Sequence, residues 1–388
     1  MAAANRLLGG LSPRTFLRRY WQKQPLLIRG AFPEFTPPVS ADELAGLACE
    51  EGVESRLVLQ TGKALGWKLR QGPFRHQDFR KLPGSRWTLL VQDVDKHVPT
   101  AAQLLEHFRF IPNWRVDDLM ASYAVDGGSV GPHVDAYDVF LLQAEGMRRW
   151  DIHTGPQEEL RRPGLDLRQV KTFTPEESWL LMPGDMLYLP PGVAHHGVAF
   201  GECLTYSIGF RAPSQAEMLA DFSDVLTQAA DDSARYRDPD LRPTAHPGEI
   251  SAAARARARR LLRACLSPVD ETLDLWLGRY LTEPKPWLRP VPSRRLANRT
   301  ELKRRIKGGK RLAWHPAVRV AWFYSRRSCH LFVDGAHHIL PARHKNFVEL
   351  MGDERKFEAA ELRRPVDNAQ LRALLLEWLN AGQLQWQA

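Results

Sequence analysis

The 388-residue sequence predicts an α+β protein. An antiparallel β domain of sandwich, jelly-roll or barrel type occupies residues 1–212. A helical region follows over 213–288, and a small α+β unit of winged-helix content over 289–388. Three observations predict this: a series of short strand-like runs punctuated by Pro and Gly, then a stretch that lacks such runs and repeats its apolar residues at helical spacing, then a proline-broken linker before mixed elements.

In the first part SRWTLLVQDV, DVFLLQAEG, RRWDI, SWLLM, DMLYLP and CLTYSIGF read as strands, separated by turns such as GGSVGP, MPGD and PPG. Helical segments precede them, ADELAGLACEEG and PTAAQLLEHFRFI among them. In the second part Leu261, Leu262, Cys265 and Leu266, then Leu273, Leu277 and Leu281, can form one apolar stripe. Such a stripe needs a partner surface, either the β domain or a second copy of the chain. The linker is KPWLRPVP, residues 285–292. Beyond it NRTELKRRIKGG, KNFVELMGD and DNAQLRALLLEWLNAG read as helices, and RLAWHP, VRVAWFYS, HLFVDG and QLQWQ as strands.

The bulk properties exclude several classes. A content of 44% hydrophobic and 26% charged residues argues against disorder. No apolar run approaches the roughly 18 residues of a membrane span. The start, MAAANRLLGGLSPRTF, has no apolar core ending at a small-residue cleavage site, so no signal peptide is expected. Cys49, Cys203, Cys265 and Cys329 are scattered. They form neither a disulfide framework nor a zinc pattern, which suits a reducing cytoplasm.

The chemistry is carried by GGSVGPHVDAYD. His133 and Asp135 stand at i and i+2, so a strand presents both on one face. A third ligand is expected from a facing strand, and PGDMLYLPPGVAHHGVAF supplies His195 and His196, with enough chain between for several strands to go round and return. Two imidazoles and one carboxylate on one side of a metal are the facial triad of non-haem Fe(II) oxygenases, with positions open for a keto acid and dioxygen. Catalytic zinc sites keep only one position open. Spacing alone does not choose between His195 and His196.

A keto acid such as 2-oxoglutarate needs a cation for its distal carboxylate. In GMRRWDI, Arg148, Trp150 and Ile152 share one strand face and Arg149 and Asp151 the other. The apolar companions place Arg148 inside, where a guanidinium is costly without an anion. Arg148 is the candidate for that carboxylate, and Arg149 suits the surface.

FLRRYWQKQPLLIRG, WRVDDLMASYAVDGGSVGPHVDAYDVFLLQAEGMRRW, MPGDMLYLPPGVAHHGV and YSIGFRAPS together resemble the bacterial ribosomal oxygenases of the JmjC/cupin class. The resemblance is specific over residues 12–215 and looser beyond. It implies a double-stranded β-helix, a helical dimerisation region and a winged-helix-like domain, in that order. It implies Fe(II) and 2-oxoglutarate, with hydroxylation of an arginine side chain in the large-subunit ribosomal protein numbered sixteen. Its pattern makes His195 the third ligand and puts Arg148 and Ser122 on the cosubstrate. Two positions depart from it: Ala124 stands where relatives are often polar, and Thr205, the equivalent of a frequent asparagine, is the further cosubstrate candidate. Tyr137 and Asp138, directly after the triad, are expected at the substrate entrance. Rival readings are a histidine hydroxylase of another ribosomal protein, a lysine demethylase, a non-catalytic metal cupin with an RNA-binding tail, and a zinc or manganese cupin isomerase.

Charge is unevenly placed. Residues 1–212 hold 24 basic and 24 acidic residues, whereas the remainder holds 30 and 21. Residues 289–311 alone carry ten Lys/Arg against Glu301. A basic ribosomal-protein substrate is repelled by such a segment, so it is expected to face away from the active site or to touch RNA. Asp117, Asp118 and Asp138 are the acids expected near the substrate mouth.

Overall fold

The structure is a computed structural model that describes residues 6–61, 66–156, 158–161, 168–239, 241, 250–265 and 270–387. These pack as two compact units. One comprises Met1–Ala212, Lys285–Val318 and Arg355–Ala388; the other comprises Pro213–Pro284 and Arg319–Glu354. Residues 289–388 therefore contribute to both units, and Leu266 of the apolar stripe lies outside the described residues.

The first unit is built on one large antiparallel sheet. Its main path runs β1 (Leu26–Ile28), β11 (Met186–Leu189), β7 (Val139–His153), β12 (Ala194–Phe210), β5 (Val116–Ala124), β4 (Trp87–Val91), β2 (Ser55–Thr61) and β3 (Gly66–Gln71). β10 (Glu177–Leu181) adds to β7, while β6 (His133–Val134) pairs with both β12 and β9 (Arg168–Val170), and β8 (Glu159–Arg161) pairs with β9. DVFLLQAEG and RRWDI form one strand, and CLTYSIGF continues back through AHHGVAF.

These two long strands, β7 and β12, fold the sheet on itself. Their register shifts between Phe200 and Thr205. At the same level Gly146 has φ +60°, and a Cβ there would sit 2.0 Å from the Glu202 carbonyl oxygen. Only glycine fits that corner. Before it, β7 pairs with β11; after it, β7 pairs with β10.

Alternation along β7 separates two cores. Phe140, Leu142 and Ala144 face the aromatic core of Phe16, Phe108, Tyr188 and Phe210, beneath the N-terminal helix Pro13–Arg19. Val139 and Leu141 face inward with Leu187, Leu189, Trp150 and Ile152. Burying each such aromatic contributes about 1.5–3 kcal/mol. Helix Ala41–Leu47 is started by a capping box, Ser40 with Glu43. β13 (Leu312–Trp314) lies between β17 (Lys356–Phe357) and β18 (Leu384–Trp386), beside helices Arg299–Lys307, Ala359–Asp367 and Ala369–Asn380.

In the second unit helices Gln215–Ala229, Ala252–Cys265 and Asp270–Thr282 accompany β14 (Val320–Tyr324), β15 (Ser328–Val333), β16 (Ala336–Pro341) and helix Lys345–Asp353. The Trp276 ring packs at a tilt against Phe222, and its indole N–H donates to Asp221 at 2.6 Å. Leu281 is buried, Leu273 and Leu277 are half-buried, and Leu262 is exposed.

Candidate metal centre

His133 and His195 are direct partners across β6 and β12. This register brings residues sixty-two positions apart to one point. Asp135 follows two residues after His133, and the Gly192 N–H of the PPG turn donates to its carbonyl at 2.9 Å. One donor atom from each of His133, Asp135 and His195 lies within 4.8 Å of the others. The two imidazole centroids are 4.2 Å apart, and His195 Nε2 lies 3.6 Å from Asp135 Oδ2. No other group of three such residues is close enough to hold a metal among the described residues.

Each imidazole is oriented by its own backbone. His133 Nδ1–H donates to the Gly131 carbonyl at 2.9 Å, and His195 Nδ1–H donates to the Val193 carbonyl at 3.0 Å. Both bonds leave Nε2 with its lone pair for a metal. Burial pushes the His195 pKa down to about 4, so the imidazole is neutral at physiological pH and free to ligate. His195 is 2% exposed. His196, the next residue on the strand, lies against Phe173 and pairs with Asp151. This donor set, two neutral imidazoles and a carboxylate, fits Fe(II) with positions left open.

Arg148 is 5% exposed and points inward, as its apolar strand companions require. Its Nη1 donates to Ser122 Oγ at 3.1 Å, while Nε and Nη2 are buried with no hydrogen-bond partner among the described residues. A buried guanidinium left this open is unfavourable by several kcal/mol unless an anion meets it. Trp150 stands between the guanidinium and the metal centre, its ring 5.8 Å from Arg148 Cζ and 5.8 Å from the His195 ring. Its indole N–H is also buried and unpartnered. The ring lies against Gly197, where a Cβ would come within 2.7 Å of it.

Thr205 is fully buried and lies beside Ser122 on β5 and Gln143 on β7. Its hydroxyl donates to Gln143 Oε1 at 3.1 Å. Ala124 contributes only a methyl group, packed with Ala199 and Cys203. Tyr137 is 41% exposed, and the Asp135 charge, ahead of burial, raises its phenol pKa. It therefore sits at the rim of the metal centre.

Asp138 does not sit at the entrance. It shares strand parity with Phe140, so it turns to the other side, where it is fully buried. Tyr188 donates to it at 2.6 Å, Gln22 at 3.0 Å, and Arg115 pairs with it at 3.3 Å. Asp138 ties the turn after helix Pro13–Arg19 to Tyr188 on β11 and to Arg115. Asp118 is on the inner side: a Cβ on Gly209 would lie 3.4 Å from its carboxylate and 4.0 Å from the Tyr137 ring. Burial, then the charges of Asp117 and Asp93, push its pKa up to about 7.

Sequence reasoning passed over Gln143, Thr88 and the Trp150 N–H. The signal was present for the first two: each is the polar member of an otherwise apolar strand, VFLLQA or WTLLV.

Residues 103–218 match the model of the JmjC domain, and residues 261–385 that of the ROXA-like winged helix. The chain is 42% identical over 279 residues to the ribosomal protein uL16 3-hydroxylase of Escherichia coli, covering 71% of this chain and 73% of that protein. It is 39% identical over 235 residues to a probable ribosomal oxygenase of Haemophilus influenzae, covering 60% and 55%. Among solved structures it resembles the ribosomal oxygenase YcfD of Escherichia coli in complex with cobalt and 2-oxoglutarate, with TM-score 0.82, 32% identity and coverage of 97% of this chain and 99% of that one. Another structure of E. coli YcfD gives TM-score 0.84 at the same identity, covering 97% and 98%. A paired His–Asp–His centre inside a JmjC fold, with a matching winged helix and this degree of identity, makes the chain a member of the bacterial ribosomal oxygenases.

Proposed function

We propose that this chain hydroxylates an arginine side chain of the large-subunit ribosomal protein numbered sixteen, with Fe(II) on His133, Asp135 and His195 and 2-oxoglutarate as cosubstrate. The observation that carries the cosubstrate reading is the open, buried Arg148 guanidinium beside the triad. When bound, Fe(II) would activate dioxygen, with the keto acid as two-electron reductant leaving as succinate and carbon dioxide, so that one oxygen atom converts a substrate C–H bond to an alcohol. The protein's own residues hold the parts. His133 and His195 present fixed Nε2 atoms, Arg148 and Ser122 receive the distal carboxylate, and the apolar lining from Leu141, Leu187 and Ile152 excludes water.

A cationic target is supported by Asp118. Burial and the neighbouring Asp117, Asp93 and Asp95 disfavour its charge more than Lys285 favours it, and an incoming guanidinium would favour it further. Tyr137 offers a ring face beside it for the same cation. The name of the E. coli relative supports the ribosomal protein. The test is incubation with Fe(II), 2-oxoglutarate and peptides of that protein, followed by tandem mass spectrometry. One added oxygen on an arginine is expected. Oxygen on a histidine, loss of a methyl group from lysine, or no change would contradict the arginine assignment.

The second unit is proposed to form a homodimer. Leu219 and Leu262 on its helices are 61% and 65% exposed, which is unfavourable for apolar side chains in water. Light scattering at micromolar concentration should give about twice the 44.2 kDa of one chain; a monomer would return these residues to a solvated face.

The basic segment is proposed to contact ribosomal RNA, and the cytoplasm is proposed as the enzyme's location. Lys303, Arg305 and Arg311 are paired with Asp367, Glu301 and Glu358. Arg294, Arg295, Arg304 and Lys307 are exposed and make no ion pair among the described residues. Lys285–Val318 belongs to the oxygenase unit, so substitution rather than truncation is the test. Changing these four residues to Gln should flatten the salt dependence of RNA binding, by roughly 0.7–0.9 in logarithmic slope per lost phosphate contact. An unchanged slope would exclude the segment.

A further inference from the structure

The inner face around Arg148 has one more polar atom without a partner. Thr88, on β4, is 1% exposed, and its hydroxyl makes no hydrogen bond among the described residues. Strand register fixes where it points. Thr88 is the direct partner of Ala124 on β5, and Ser122 lies two residues from Ala124, so all three share one face. The Ser122 hydroxyl on that face already accepts from Arg148 Nη1. The backbone neighbour Tyr123 faces the other way, against Trp87. Directly opposed Cβ atoms are about 4.5–5.5 Å apart, and diagonal neighbours about 7–8 Å, within reach of one small ligand.

Strand register thus puts Thr88 Oγ1 on the face where Arg148 bonds Ser122, and Thr88 Oγ1, Arg148 Nε and Arg148 Nη2 are all buried without a partner among the described residues. Two kinds of donor converge there, and Ala124, Ala199 and Cys203 add only small apolar groups. A buried hydroxyl with nothing to bond is unfavourable, so its retention calls for a ligand acceptor.

We propose that Thr88 is a specificity-determining residue of the cosubstrate site: its hydroxyl donates to the distal carboxylate held by Arg148 and so supplies, from the neighbouring strand, the polar contact that Ala124 does not provide. This rests on the 2-oxoglutarate reading above. It makes Thr88 a selector for keto acids with a second carboxylate. The contact disappears for a keto acid that ends in a methyl group.

The test measures binding rather than turnover. Calorimetry on Mn(II)-loaded, full-length protein would compare 2-oxoglutarate with 2-oxobutyrate, which lacks the distal carboxylate, for wild type, Thr88→Val, Thr88→Ser and Arg148→Met. Thr88→Val keeps the shape, so a folded protein is expected, and its melting temperature provides the check. Thr88→Val should weaken 2-oxoglutarate about 10-fold, leave 2-oxobutyrate unchanged, and be restored by Thr88→Ser. If Thr88→Val binds 2-oxoglutarate as wild type does while Arg148→Met loses it, the Thr88 assignment is wrong and the cosubstrate reading survives. If wild type itself does not bind 2-oxoglutarate, the cosubstrate reading falls. Equal weakening of both keto acids would show a packing effect and overturn the proposal.

Discussion

Replacing His133 or Asp135 with alanine is expected to lower 2-oxoglutarate turnover on the order of 100-fold or more, since even loss of a group that only orients a ligand costs about 10–100-fold. Each substitution leaves two protein donors, and the site cannot compensate. The other described His, Cys, Asp and Glu residues form no further cluster from which a replacement ligand could come. His195→Ala should behave alike, and His196→Ala should stay within a few-fold of wild type. The physical reason is strand parity: His195 is buried at the centre, whereas His196 turns toward Phe173 and Asp151. Stopped assays with labelled 2-oxoglutarate would check this. An inactive His196→Ala beside an active His195→Ala would reverse the ligand assignment.

Arg148→Met should raise the KM for 2-oxoglutarate roughly 10–100-fold, because a charge-assisted hydrogen bond contributes about 1.5–3 kcal/mol. The peptide KM should change little. A second readout separates this from a damaged fold. Arg148 carries two buried N–H groups without a partner among the described residues, so an apolar chain of similar volume removes an uncompensated desolvation cost. The variant without cosubstrate should therefore melt no lower than wild type. The wild type should gain more from added 2-oxoglutarate, by linkage between binding and folding. An unchanged cosubstrate KM would move the carboxylate site elsewhere.

Parts of this site were legible in the sequence because strand geometry is short-range. The i, i+2 spacing of His133 and Asp135, and the parity that turns Arg148 inward with Trp150 and Ile152, follow from a period of two alone. The pairing of β6 with β12 is long-range, so residues alone left His195 and His196 open until the resemblance chose. Asp138 was misplaced because adjacency in sequence to Tyr137 suggested adjacency in space, whereas one residue on a strand reverses the face. Gln143 and Thr88 escaped notice because an isolated polar residue in an apolar strand gains its meaning only from what lies across the ladder. The small C-terminal elements were readable one by one, but their division between two units depends on packing that no local pattern encodes.

The proposed chemistry requires that His133, Asp135 and His195 hold Fe(II) with positions open for a keto acid. Anaerobic titration of the purified protein with Fe(II) and 2-oxoglutarate tests it most directly, through the visible charge-transfer absorption of an iron-chelated 2-oxo acid. The band should grow to one equivalent of iron in wild type, survive in His196→Ala and be absent in Asp135→Ala. A wild-type protein without the band, or one whose band persists in Asp135→Ala, would contradict it.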